Sequence, residues 1–150
     1  MGTCTDTEVI VPDTTTDGYA VSGLESMAFY NKTEITSVIL PEGLKVIGND
    51  AFGLCSSLKS VSISSSVEEI GDGVFAECTS LTSIRLPSNL ASLGKNLFYG
   101  CTSLTEIYYD GSISEWDLIS KNELWDNGTA DYTIYCTDGE ISKDGTVSEY

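Results

Sequence analysis

The stretches GNDAFGLCSSLKSVSI, GDGVFAECTSLTSIRL and GKNLFYGCTSLTEIYY begin at Gly48, Gly71 and Gly94, each 23 residues after the last. A fixed period held across many positions constrains a fold more than any single element does. Phe52, Phe75 and Phe98 share one slot, and Cys55, Cys78 and Cys101 another. Leu58, Leu81 and Leu104 follow, then Val61, Ile84 and Ile107, then Ile63, Leu86 and Tyr109. Leu44, Val67 and Leu90 match between the glycines, as do Ile47, Ile70 and Leu93. One period upstream lies a worn copy with Ala28, Phe29, Ile35, Val38 and Leu40, where Lys32 stands in the cysteine slot. Val21 and Leu24 extend the pattern, so the periodic region is 21–109.

Each unit has a readable local structure. Ile84 and Leu86 alternate around Arg85, which is strand spacing. Pro87 then removes a backbone donor and favours a turn. Val74, Phe75 and Cys78 are spaced i, i+1, i+4, which predicts one face of a short helical turn. Gly71 frees the backbone just ahead of it. A unit is therefore a strand, a turn, a second short extended piece and a helical turn. No single unit buries its apolar side, but a stack of them makes a continuous core. The expected fold is an α/β repeat solenoid. It is a short right-handed coil with parallel strand ladders, capped ends and coils ~4.8 Å apart.

The unit CTSLTSIRLPSNLASLGKNLFYGC resembles the BspA-like leucine-rich repeat, a bacterial type with the same period. GTCTDTEVIVP resembles the strand that opens such arrays, and IYYDGSISEWDLIS with TIYCTDG resembles the segment that closes them. The expected organisation is one domain: N-terminal cap 1–20, repeats 21–109, C-terminal cap 110–138, and a loosely held tail or linker at 139–150. The resemblance implies a secreted or cell-surface bacterial protein, extracellular in location. It implies a noncatalytic module for adhesion or for binding a host or matrix protein or glycan. A spacer that displays other domains is the alternative. Fold alone does not choose between them.

Composition narrows the partners. The net charge is −16, with seven Lys plus Arg and no His. Nucleic acid is not expected, because phosphate neutralisation needs a basic surface. Membrane insertion is not expected either, since no apolar run approaches the ~20 residues that span a bilayer. The first residues have neither the basic region nor the apolar core of a signal peptide. Capped ends predict a monomer.

Chemistry-bearing constellations are few. Without His there is no Ser-His-acid triad, no nucleophile elbow occurs, and the chain is not expected to be an enzyme. The cysteine column reads as a ladder of buried thiols acting as small apolar groups, with disulfides or a metal as lesser readings. Cys4 and Cys136 belong to opposite ends and are not expected to bridge. The carboxylates read as a solvated acidic face, and Asp-Gly at Asp17, Asp110, Asp138 and Asp144 as turns rather than calcium loops. No cofactor and no metal are expected.

The strand face is the candidate site. The residue between the last two apolar strand positions points outward, so stacking aligns Ile39, Ser62, Arg85 and Tyr108 in a row. Ser37, Ser60, Ser83 and Glu106 form its neighbour. Solenoids bind through such extended surfaces, and Arg and Tyr are enriched at hot spots. In the closing segment Ser114 is expected to cap a short helix, with Asp117 completing the capping box. Trp116 and Trp125 are expected to close the last coil as a lid rather than to offer a sugar platform.

Overall fold

The computed structural model describes residues 7–150 and consists of about five coils. In chain order the first four coils pair a longer strand with a two-residue one. They are β1 (Thr7–Ile10) with β2 (Gly23–Leu24), β3 (Ile35–Ile39) with β4 (Val46–Ile47), β5 (Ser60–Ser62) with β6 (Glu69–Ile70), and β7 (Ser83–Leu86) with β8 (Ser92–Leu93). The fifth holds β9 (Glu106–Tyr109), the helix α1 (Ile113–Leu118) and β10 (Ser120–Lys121). Then come β11 (Thr133–Tyr135), β12 (Gly139–Ser142) and β13 (Val147–Glu149).

The longer strands line one side, here called the front. Ser37, Val38 and Ile39 pair in parallel with Ser60, Val61 and Ser62, and Ser83 to Leu86 pair with Glu106 to Tyr109. The front ladder is interrupted once, so that β1-β3-β5 and β7-β9-β11 belong to separate sheets. The short strands form an unbroken back ladder, β2-β4-β6-β8-β10.

The third side departs from the expected helical turn. It is a run of tight turns whose alternate residues bond in two directions. Cys78 N–H reaches back to the Phe75 carbonyl at 3.2 Å, whereas Phe75 N–H crosses to the Leu97 carbonyl of the next coil at 3.0 Å. The same pair recurs as Cys55 to Phe52 and Phe52 to Val74. An α-helix would spend these donors within its own coil. Instead the turns act as a third inter-coil ladder. The geometry needs two left-handed residues per coil. They fall at Met27, Asp50, Gly73 and Asn96, and at Asn31, Leu54, Glu77 and Gly100. Side-chain chemistry joins in: Asn49 Oδ1 accepts from Asp72 N–H at 2.9 Å, and Asp72 Oδ1 from Lys95 N–H at 2.7 Å.

The repeated apolar slots are the core. Phe52, Phe75 and Phe98 are fully buried. With Phe29 their rings form one stacked column, with centroids 5.3, 5.9 and 5.8 Å apart. The cysteine column is also buried, and its thiols are free. Each donates to a phenylalanine carbonyl in the preceding coil: Cys55 to Phe29 at 3.2 Å, Cys78 to Phe52 at 3.3 Å, Cys101 to Phe75 at 3.0 Å. The slot thus uses both the apolar body and the weak donor of a thiol. Burial pushes all three thiols up, Cys101 to about 12. A thiol raised in the fold leaves stability intact below its ordinary 9.0 and loses it as pH rises toward the folded value. Urea midpoints should therefore fall between about pH 9 and 12, less steeply in Cys78→Ala/Cys101→Ala. Reaction with a thiol reagent at neutral pH should be at least about a hundredfold slower in the native chain than in urea.

The two ends differ from expectation in two respects. The segment from Gly139, expected as a loose tail or linker, forms β12 and β13. These extend the front sheet as antiparallel strands beyond β11. The helix cap is Ser112, not Ser114. Glu115 N–H donates to Ser112 Oγ at 3.2 Å, and Ser112 N–H to Glu115 Oε2 at 2.7 Å, a complete capping box two residues earlier. Both Trp side chains turn inward: Trp116 is buried, and Trp125 packs edge-on against Phe98, Trp116 and Tyr132. They form a lid over the last coil. Cys136 is a free, buried thiol, while Cys4, its expected distant counterpart, lies outside the described residues.

Candidate binding face

On the front strands Val38, Val61, Ile84, Ile107 and Ile134 point into the core, so the residues on either side of each point outward. One outward row runs Ile10, Ile39, Ser62 on the first sheet and Arg85, Tyr108, Tyr135, Glu140 on the second. The other runs Glu8, Ser37, Ser60, then Ser83, Glu106, Thr133. All four residues expected at the site therefore share one face. Ile39 and Ser62 are direct neighbours, as are Arg85 and Tyr108. Ser62 and Arg85 are not laddered to each other, because the interruption falls between β5 and β7. A shallow depression of about 370 Å³ spans that interruption and is lined by Ile39, Ser62 and Arg85 with Glu8.

Tyr135 joins this face and was not expected there. Its ring stacks on Tyr108, centroids 5.2 Å apart with planes at 21°. The Arg85 guanidinium lies 5.5 Å from the Tyr108 ring centre on the opposite strand. Arg85 also forms an ion pair with Asp110. Tyr108 Oη donates to Glu106 Oε2 at 3.2 Å. Loss of solvent contact, and then this carboxylate, push the Tyr108 phenol above its ordinary range, so it stays a donor. The row is thus a connected array: guanidinium, phenol, phenol. The motif signal for Tyr135 was present, since TIYC mirrors EIYY, but the last coil breaks the 23-residue count.

A wider groove of about 850 Å³ follows the back ladder, lined by Glu69, Asp72, Lys95, Lys121 and Glu123. Two of its polar side chains, Asp72 and Lys121, are engaged with backbone of the fold. Asp72 accepts from Lys95 N–H, and Lys121 Nζ donates to the carbonyls of Trp116 and Ile119. Lys121 occupies the slot of Leu93 one coil on, and its charge ends the core column 4.7 Å from the Trp116 ring centre. Burial pulls this lysine below its ordinary range. The back groove reads as structure.

Comparison with known proteins adds lineage. The family model described as BspA type leucine rich repeat region (6 copies) matches residues 21–121. A leucine-rich repeat protein of T. pallidum is 28% identical with a TM-score of 0.66, over 73% of this chain and 54% of that one. A leucine-rich repeat protein from Bacteroides capillosus is 30% identical with a TM-score of 0.63, over 69% of this chain and 77% of that one. The pneumococcal vaccine antigen PcpA is 26% identical with a TM-score of 0.63, over 71% of this chain and 25% of that one. The chain thus covers about half of the treponemal protein. No curated protein matches it.

Proposed function

Since the chain belongs to the BspA-type leucine-rich repeat family, we propose that it is a noncatalytic binding module of an exported or surface-displayed bacterial protein, engaging a protein or glycan through its front strand face. The observation that carries this reading is the Arg85-Tyr108-Tyr135 array. Arg and Tyr are the side chains that dominate binding energetics, and here they are stacked, held and solvent-facing. Such preorganisation cuts the ordering cost of association. Likeness to a pneumococcal vaccine antigen supports an exposed setting.

The test is binding of purified protein to a panel of host matrix proteins, mucins and glycans, beside the variant Tyr108→Ala/Tyr135→Ala. A hit on the panel should weaken in the variant by at least about tenfold, the loss of one hot-spot residue. Circular dichroism of the variant confirms that the fold is kept. A panel without hits would favour the spacer reading instead.

A further inference from the structure

The interruption of the front ladder has a local cause. Ser64 stands in the slot held by Pro41 and Pro87 on the neighbouring coils. Its hydroxyl lies 2.9 Å from Ser66 Oγ, and Ser66 Oγ donates to the Leu44 carbonyl at 2.9 Å, which ties this corner to the preceding coil. Ile63 shares the slot of Leu40 and Leu86, yet those two are buried and Ile63 is only partly so, lining the depression. Leu40 N–H reaches the Ser62 carbonyl of the next coil at 3.0 Å, whereas among the described residues Ile63 N–H makes no matching bond to Arg85. The coils on either side stay joined elsewhere. Glu69 and Ile70 pair with Ser92 and Leu93 on the back, and Phe75 N–H meets the Leu97 carbonyl on the turn side. The seam is thus open on one side of three. Side-chain bonds mark its ends: Thr79 Oγ1 donates to the Ser56 carbonyl at 3.4 Å, and Asn89 Nδ2 to the Ser65 carbonyl at 2.7 Å.

We infer that the front face is hinged at this seam, with the back and turn sides holding as the axis and Asn89 as the latch. Two plates meet there. One carries Ile10, Ile39 and Ser62, the other Arg85, Tyr108 and Tyr135. Within each plate the ladder fixes the spacing. Between them, on the front, packing and the two side-chain bonds resist opening. The separation of Ser62 from Arg85 is therefore the adjustable dimension of the face. A partner that touches both plates selects one spacing from those the free chain samples. The inference goes beyond the binding-module reading, and its test needs no ligand.

Spin-label pairs in a Cys4→Ser background read the coil spacing by dipolar broadening, Cys55, Cys78, Cys101 and Cys136 being buried. Labels at Ser37 and Ser83 span the seam over two coils, about 10 Å. Labels at Ser83 and Thr133 span two coils of unbroken front ladder. Labels at Val46 and Ser92 span the same two coils as the first pair, on the back. The seam pair is expected to show a distance distribution at least about twice as wide as either control. Asn89→Ala should widen the seam pair by at least about half again and leave the back pair unchanged. Circular dichroism confirms that each labelled chain is folded. A seam pair as narrow as the controls overturns the hinge, because the seam is then rigid. A back pair as wide as the seam pair also overturns it, because whole coils then separate. So does an equally wide Ser83 and Thr133 pair, because the front then flexes everywhere. A seam pair unchanged by Asn89→Ala overturns the latch.

Discussion

Phe75→Ala should destabilise the chain by about 4 kcal/mol, measured as the shift of the urea unfolding curve at unchanged slope. Phe75 is fully buried in mid-column, with one ring 5.9 Å away on one side and another 5.8 Å away on the other. Truncation removes its own burial and leaves Phe52 and Phe98 each facing a void. The void cannot close easily, because the coils on both sides are pinned by Phe52 N–H to Val74 and Phe75 N–H to Leu97. Phe75→Leu should cost roughly half as much, since it refills part of the space. A loss below about 1 kcal/mol for Phe75→Ala would mean that the column is not what holds neighbouring coils together.

Gly94→Ala should cost about 3 kcal/mol despite adding one methyl group. A Cβ at this position would lie 2.3 Å from the Gly71 carbonyl carbon and 2.5 Å from Asp72 N. Both obstacles are backbone of the adjacent coil, so no flexible side chain can swing away. Relief requires the two coils to separate where Gly94 N–H meets the Ile70 carbonyl at 2.9 Å. Gly18→Ala is the comparison, because nothing lies within 4 Å of a Cβ built there, although its φ of +82° adds backbone strain. Thermal or urea unfolding of both variants decides the matter. Equal losses would assign the effect to glycine's conformational freedom and not to close approach.

These two positions show what the sequence made legible. The glycine, phenylalanine and cysteine columns were visible because each must meet its own copy one coil away, and that demand repeats the letter. The front and back strands followed from the alternation around Arg85 and from the Leu44 and Ile47 slots. The turn side was misread as helical for an equally physical reason. Its left-handed residues are Met27, Asp50, Gly73 and Asn96, four different types in one slot. Backbone conformation was held there by the inter-coil ladder and left no common letter. The Ser112 cap was missed because Ser112 and Ser114 both precede acidic residues, and only the fold decides which hydroxyl sits at the helix start. The strands after Gly139 were missed because short polar segments read as loose until a sheet edge is there to pair with them.

Of the four site residues named from the sequence, all reach one face, yet their arrangement carries more than the row did. Arg85 reads as a free cation in sequence, and its pairing with Asp110 comes from a residue two positions past Tyr108 on the next coil. Tyr135 lies outside the strict period and completes the aromatic pair.

That broken period has a consequence for how such a chain can change length. From Ile70 to its ladder partner Leu93 the count is 23, but from Leu93 to its partner Lys121 it is 28. The surplus falls in the passage holding α1, between front strand and back strand, and both ladders continue past it. The corner after a front strand is therefore a tolerant site: extra residues bulge outward there as a local helix. The turn side, where alternate donors cross at every second residue, has no such slack, and one inserted residue would exchange the inward and crossing sets. Lineages of this array should accumulate insertions at the first corner and lose or gain whole 23-residue coils elsewhere.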